Sequence, residues 1–300
     1  MTVAAAGSDL SGWAAAADAG ISRRAAIAGA AVLLLAAGNA MAEDRSITAA
    51  DGRPVPLRLW RARGKARGLL AFSHGANAAP AKYDRLGAAL AAGGYDVAAP
   101  LHMDSPDHPG GGKVDRALAN GLRLADMRAI FANRAMLGMT GGPAVAAGHS
   151  FGAMIAQMLG GAAIGGPAVV EPGIAAVVAW SPPGPFPPML NPGAWASIAR
   201  PMLVQTGTAD TLPMMAPTWQ VHRASFDEAP GPAALFVGTG VDHYFGNIIC
   251  RPERTEPPQE AQFADAVAVT LQFLALALAG KPLTPLARAP VAGASWVEVK

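Results

Sequence analysis

Short apolar runs recur along this chain: Leu69–Phe72, Val97–Pro100, Ala144–Ala147, Ala175–Trp180, Pro201–Gln205 and Ala233–Val237, each bounded by Gly, Pro, Asp or Ser. Between most of them lie segments with helical spacing, Tyr83–Ala92, Val114–Leu137 and Phe151–Leu159, and a longer one follows at Ala261–Ala279. A strand covered on both faces reads as an unbroken apolar run, and strands that alternate with helices need crossover connections. The pattern therefore predicts an α/β fold with a mostly parallel sheet and helices on both faces. Upstream, SITAADGRPVPLRLWRA alternates apolar and polar residues on either side of the turn pair Asp51-Gly52, which predicts an N-terminal antiparallel hairpin.

In open parallel sheets, loops at the carboxyl ends of strands surround the ligand crevice. Two irregular stretches fit that place, PLHMDSPDHPGGGK (100–113) and SPPGPFPPMLNPGAW (181–195). The gap from Trp180 to Pro201 is too short for a multi-helix cap, so an open cleft is expected. The tail after Lys281 is proline-rich and is expected to wrap the surface. No internal repeat and no second domain boundary is visible.

Composition narrows the function classes. With 52% hydrophobic and 15% charged residues, 300 residues hold enough apolar surface for a large core. The net charge is +2 and the 23 basic residues are scattered, so no stripe marks a nucleic-acid surface. The single cysteine, Cys250, excludes an internal disulfide and a multi-cysteine metal site.

The first segment reads as an address rather than as part of the fold. In ISRRAAIAGAAVLLLAAGNAMAED, Arg23 and Arg24 precede a moderately apolar, Ala-rich run that ends in an A-x-A pattern at Ala40-Met41-Ala42. This matches a twin-arginine export signal over residues 1–42, leaving a single catalytic domain over 43–300 and a mature chain that starts near Glu43. The run is shorter than the roughly 20 residues a spanning helix needs, so stable membrane association is not expected once the signal is removed. The expected location is periplasmic or secreted.

The stretch AVAAGHSFGAM (144–154) places Ser150 in the pattern G-x-S-x-G. In a chain with 35 glycines the pattern arises too readily by chance to carry weight alone. Its context adds that weight: Ser150 follows an apolar strand and opens a helix, with Gly148 and Gly152 permitting a tight strand-to-helix turn. A serine hydroxyl needs a base, normally histidine, oriented by a carboxylate, and on such a sheet the chain order is Ser, Asp or Glu, His. Asp210, beyond the run Met202–Val204, and His243, in the glycine-flanked loop after the last apolar run, occur in that order. His222 is the only other histidine after Asp210 and sits in the helix-like TWQVHRASF; Asp227 and Asp242 are rival carboxylates. His74-Gly75 directly follows a strand, as in a loop that offers backbone donors to an oxyanion; the N–H groups of Ala76 and Phe151 are the candidate pair. His74 is expected to hold this loop, and His149 to be the variable residue of the turn.

GHSFG with HG upstream, and GTAD and DHYF downstream, resembles the α/β-hydrolase superfamily from the hairpin to the last helix. DGRPVPLRLW and RLADMRAIFAN are similar to bacterial dienelactone-hydrolase-like and platelet-activating-factor-acetylhydrolase-like esterases. Dienelactone hydrolases proper use a cysteine nucleophile, whereas this elbow carries Ser150. The resemblance therefore implies carboxyl-ester cleavage by Ser150, His243 and Asp210 through an acyl-enzyme, without a cofactor.

The segments flanking the expected crevice carry Trp180, Phe186, Met214 and Tyr244 as candidate substrate-binding residues. No Arg/Lys cluster neighbours Ser150, Asp210 or His243 in sequence, which disfavours an obligate phosphate-bearing substrate. Short to medium acyl esters, or an exposed polymer ester, are the expected substrates. An amidase, a thioesterase or a cofactor-free haloperoxidase would use the same three residues. The rivals from other classes are a metal-dependent hydrolase built on His102, Asp104, Asp107 and His108, and a non-catalytic relative that only binds.

Overall fold

The computed structural model describes residues 42–111, 114–188 and 190–300. The hairpin is β1 (Ala42–Thr48) and β2 (Pro54–Trp60), paired antiparallel with Ile47 opposite Val55. The export-signal reading falls on residues outside the described ones, apart from Ala42, which pairs with Trp60 in the hairpin.

Then come β3 (Leu69–Ser73), α1 (Asp84–Ala92), β4 (Asp96–Pro100), α2 (Arg116–Ala132), β5 (Ala144–His149) and α3 (Phe151–Leu159). The chain continues through β6 (Ile174–Trp180), β7 (Met202–Gly207), α4 (Ala224–Glu228), β8 (Ala233–Gly238), α5 (Glu260–Ala277) and β9 (Trp296–Val299). The sheet order is β1-β2-β4-β3-β5-β6-β7-β8-β9, parallel from β4 to β8 and antiparallel at β1, β2 and β9. Among the described residues no helix is long and apolar enough to cross a membrane.

Strand side chains alternate between faces, and the two faces of this sheet bury separate cores. Leu70 and Phe72 of β3 pack with Leu86 and Leu90 of α1 and Phe263 and Phe273 of α5. Leu69 and Ala71 pack with Met127 and Ile130 of α2 and Ile155 and Leu159 of α3.

Three expectations need correction. The tail after Lys281 does not only wrap the surface: Trp296–Val299 closes the far edge of the sheet antiparallel to β8. Four residues are too few to display a period, so the strand is made by its edge pairing and not by its pattern. The helical segment Val114–Leu137 is helix only over Arg116–Ala132, and the chain then turns through Gly138 at φ 67°. TWQVHRASF divides into a 3-10 turn, Trp219–Arg223, and the short α4.

Topology also places the crevice. After β3 the chain moves to one side to form β4, then crosses back to lay β5 on the other side of β3. Where strand order reverses, the carboxyl-end loops diverge and leave a crevice. The loops after β3 and β5 therefore open side by side, with Ser73 in register with Gly148.

Candidate active site

Ser150 occupies the turn between β5 and α3, with φ 54° and ψ −120°. Such backbone costs a non-glycine residue about 1–3 kcal/mol and persists only where the surroundings enforce it. Here they do. The Ser150 N–H donates to Trp180 O at 2.9 Å. A Cβ on Gly148 would lie 2.2 Å from Gly152 O, and one on Gly152 1.9 Å from Ser73 O. Neither position admits a side chain, so strand and helix meet at the closest approach a backbone allows.

Asp210 lies three residues beyond β7 and His243 in the loop after β8, neighbouring strands with Gly207 opposite Gly238. His243 Nδ1–H donates to Asp210 Oδ1 at 2.7 Å, and Thr206 Oγ1 donates to Oδ2 at 2.8 Å. Asp210 is fully buried. Burial pushes its carboxyl up, but His243 and then His222 outweigh that and hold it well below the usual carboxylate range. The rival carboxylates are engaged elsewhere: Asp242 accepts from the N–H groups of Tyr244 and Gly246 and pairs with Arg254, while Asp227 pairs with Arg223.

The elbow reaches the histidine loop through His149, which is more than a variable position. His149 is fully buried, and its Nε2–H donates to the His243 carbonyl at 2.9 Å. Its Nδ1 accepts from Tyr83 OH at 2.9 Å, and Tyr83 OH in turn accepts from the Gly75 N–H at 2.9 Å. One chain of hydrogen bonds thus ties the loop after β3, the elbow and the histidine loop together. The rings of His149 and His243 stand 4.8 Å apart. The Ser150 hydroxyl makes no hydrogen bond to His243 here; such bonds commonly tighten only once substrate is bound.

The loop after β3 is held from below. His74 Nδ1–H donates to Gly75 O at 2.8 Å and its Nε2 accepts from the His102 N–H at 3.2 Å. Arg123 of α2, fully buried, donates to the His74 carbonyl and makes two bonds of 2.9 Å to Asp104. Its guanidinium lies over the ring of Phe151 at 4.2 Å. The N–H groups of Ala76 and Phe151 donate to no other group among the described residues.

A hydrogen-bonded Ser-His-Asp series is buried next to the loop after β3. Ser73 Oγ bonds His102 Nε2 at 2.8 Å, and His102 Nδ1 bonds Asp126 Oδ2 at 2.9 Å. Ser73 and His102 are wholly buried, so no substrate reaches them. Burial lowers the His102 imidazole well below its usual range, and burial pushes the Asp126 carboxyl up to about 6 against the pull of Arg53.

The side chains of the rival metal reading are engaged separately. His102 is bound to Ser73 and Asp126, Asp104 to Arg123, and His108 accepts from the Gly110 N–H within its own turn. Among the described residues, the one group with metal-ligating atoms within 4.8 Å of each other is Asp210, His222 and His243. Ligands about 2.0–2.2 Å from a tetrahedral ion stand roughly 3.3 Å apart. The separations at Asp210 Oδ1 are shorter, 2.7 Å to His243 Nδ1, which is a hydrogen bond, and 3.0 Å to His222 Nε2.

The candidate pocket residues divide. Tyr244 is half-buried and meets His243 edge-on at 5.0 Å, Phe186 is half-buried, and Met214 is exposed in the loop after Asp210. Trp180 does not line a pocket: it is 1% exposed and packs against Phe245 at 5.5 Å and Phe263 at 6.3 Å, in the core. Arginines do approach the site. Arg254 lies over the Tyr244 ring at 4.7 Å, and Arg251 donates to the carbonyls of Ala76 and Asn77. Both are committed to holding loops.

No family model and no curated protein matches this chain. Solved structures do. A puromycin hydrolase is 14% identical with TM-score 0.59; the match covers 80% of this chain, which spans only 39% of that one. A candidate dienelactone hydrolase from Klebsiella pneumoniae is 18% identical over 80% of this chain and 98% of its own, with TM-score 0.56. An esterase from Pyrobaculum calidifontis is 18% identical over 84% of this chain and 92% of its own, with TM-score 0.58. The chain has the α/β-hydrolase fold.

Proposed function

We propose that this chain is a serine hydrolase that cleaves carboxylic esters through Ser150, His243 and Asp210. The observation that carries the reading is the convergence, at the carboxyl ends of the parallel strands, of a strained serine, a 2.7 Å histidine–carboxylate pair and two N–H groups without another acceptor among the described residues. The esterases among the similar folds support the same class.

Asp210 accepts the Nδ1 proton of His243, so Nε2 is the atom left to act as base. Ser150 Oγ attacks the ester carbonyl carbon as its proton passes to His243 Nε2. The developing oxyanion is received by the N–H groups of Ala76 and Phe151, at the N-terminus of α3, where the helix dipole favours negative charge. His243 then protonates the departing alcohol, and a water that it activates releases the acid from the acyl-enzyme. No cofactor enters these steps. Reading residues 1–42 as a twin-arginine export signal, we further propose that the chain acts outside the cytoplasm, on small or polymeric esters.

Hydrolysis of p-nitrophenyl esters from acetate to laurate, by residues 43–300 and by Ser150→Ala, tests the reading with and without EDTA. Expected are a short- to medium-chain optimum, loss of activity in the variant and indifference to the chelator. Activity retained in Ser150→Ala, or lost in EDTA and restored by zinc, overturns it. Activity confined to amides, thioesters or halide oxidation would keep the three residues and change the substrate.

A further inference from the structure

His222 lies across Asp210 from His243. Its Nε2 is 3.0 Å from Asp210 Oδ1, the same oxygen that His243 engages, and its Nδ1 is 2.7 Å from the Pro182 carbonyl. The side chain is fully buried, and the Nε2 contact is oblique, outside hydrogen-bond geometry. The two atoms touch without forming a linear hydrogen bond.

Two other buried histidines, His149 and His74, have a donor on one side and an acceptor on the other. His149 accepts from Tyr83 and donates to the His243 carbonyl, and His74 accepts from the His102 N–H and donates to Gly75 O. Each is satisfied by a neutral ring. His222 faces a carbonyl with one nitrogen and an ionised carboxylate with the other, and both of these only accept. A neutral ring would aim a lone pair at one of them, inside the protein, where an unmatched polar contact is most costly.

We propose that His222 is held as an imidazolium on Asp210 and is a positioning residue of the triad, sharing the carboxylate's charge and so setting how strongly Asp210 favours protonation of His243. This rests on the proposed function. The other groups facing it do not supply that charge: Arg223 on its own turn is paired with Asp227 and Glu298, and His243 is itself a partner of Asp210. Burial lowers the His222 imidazole and Asp210 raises it, with a net rise. The folded-state value lies above the unfolded one, so the pairing contributes fully below the ordinary histidine range and is lost as pH rises through the raised value.

The consequence is legible in a pH profile. The two rings are 5.6 Å apart, so the charge on His222 is felt at the neighbouring ring. His222→Gln places an uncharged donor toward Asp210, and His222→Asn one toward Pro182; both remove the charge. In each, the acidic limb of kcat/KM is expected to move up by about 2 pH units, the size of a like-charge interaction at that distance and an effective dielectric constant of about 20. The plateau kcat should stay within about tenfold, with KM unchanged.

An independent arm uses the wild-type chain, labelled with 15N-histidine. Both ring nitrogens of His222, assigned through their proximity to Pro182, should carry protons at pH 7, whether or not the variants fold. A bare ring nitrogen, or limbs that stay in place in folded variants, overturns the assignment. Activity surviving in Ser150→Ala would defeat the proposed function instead and leave the nitrogen result standing.

Discussion

Arg123→Met isolates the arginine packed against the loop after β3. The guanidinium is fully buried and holds Asp104 with two 2.9 Å bonds, donates to the His74 carbonyl and covers the Phe151 ring at 4.2 Å. Methionine keeps most of the stem's volume but leaves Asp104, whose side chain is 14% exposed, without its counter-charge. Removing one partner of a buried ion pair typically costs about 3–5 kcal/mol, chiefly because the other charge remains. For a chain of this size that corresponds to a melting temperature lower by roughly 6–20 °C. Denaturant unfolding should show the midpoint falling with an unchanged slope. Arg123→Lys should recover only part of the loss, because a single ammonium cannot repeat the two-pronged contact. Adding Asp104→Asn to Arg123→Met should recover stability by removing the stranded charge. The loop carrying the Ala76 N–H loses its anchor as well, so kcat should fall by more than KM rises. Stability of Arg123→Met within about 1 kcal/mol of wild type would refute the reasoning, since an uncompensated buried carboxylate cannot be that cheap.

Other outcomes follow from the same geometry. Ser150→Ala and His243→Ala should each lower ester turnover by roughly 10⁴-fold or more, and the double variant should lose little further, because the residues act as one unit; additive losses in steady-state rates would contradict this. Gly152→Ala places a methyl 1.9 Å from Ser73 O and should abolish activity while lowering stability by several kcal/mol, on the order of a severe core lesion; an active, stable variant would refute the steric account. Asp126, pushed up to about 6 from 3.8, makes a contribution that is fully present below about pH 4 and is lost as pH rises through 6, about 3 kcal/mol in all. Unfolding curves from pH 4 to 8 should show that slope in wild type and a flatter one in Asp126→Asn; equal slopes would refute it.

Some of this architecture is local in origin and could be read directly. The hairpin about Asp51-Gly52, the apolar runs of β3 to β8 and the opening of α3 at Phe151 each announce themselves within a dozen residues, because turn chemistry and periodicity act over that range. The elbow's glycines belong to the same class, since their need arises from residues two apart and from the strand beside them. One buried network also left a trace: Arg123, Asp126, Met127 and Ile130 share a face of α2, so a charged pair stands on a core-facing stripe, which asks for partners inside.

The partners themselves are another matter. Asp104 for Arg123, Ser73 and His102 for Asp126, and His149 as the link from Tyr83 to His243 come from loops that meet only after β3 has been flanked by β4 and β5. Trp180 illustrates the converse: an aromatic beside the crevice in sequence turns inward, because strand side chains alternate and its turn falls on the core. His222 had no local signal at all. Its charge state is set by a carbonyl from the loop after β6 and a carboxylate from the loop after β7, and only the folded sheet brings two acceptors to the opposite edges of one ring. Periodicity and turn residues encode which elements form, because those forces are short in range along the chain. Which polar group faces which is decided by burial, where a long-range contact either satisfies a hydrogen bond or leaves it broken.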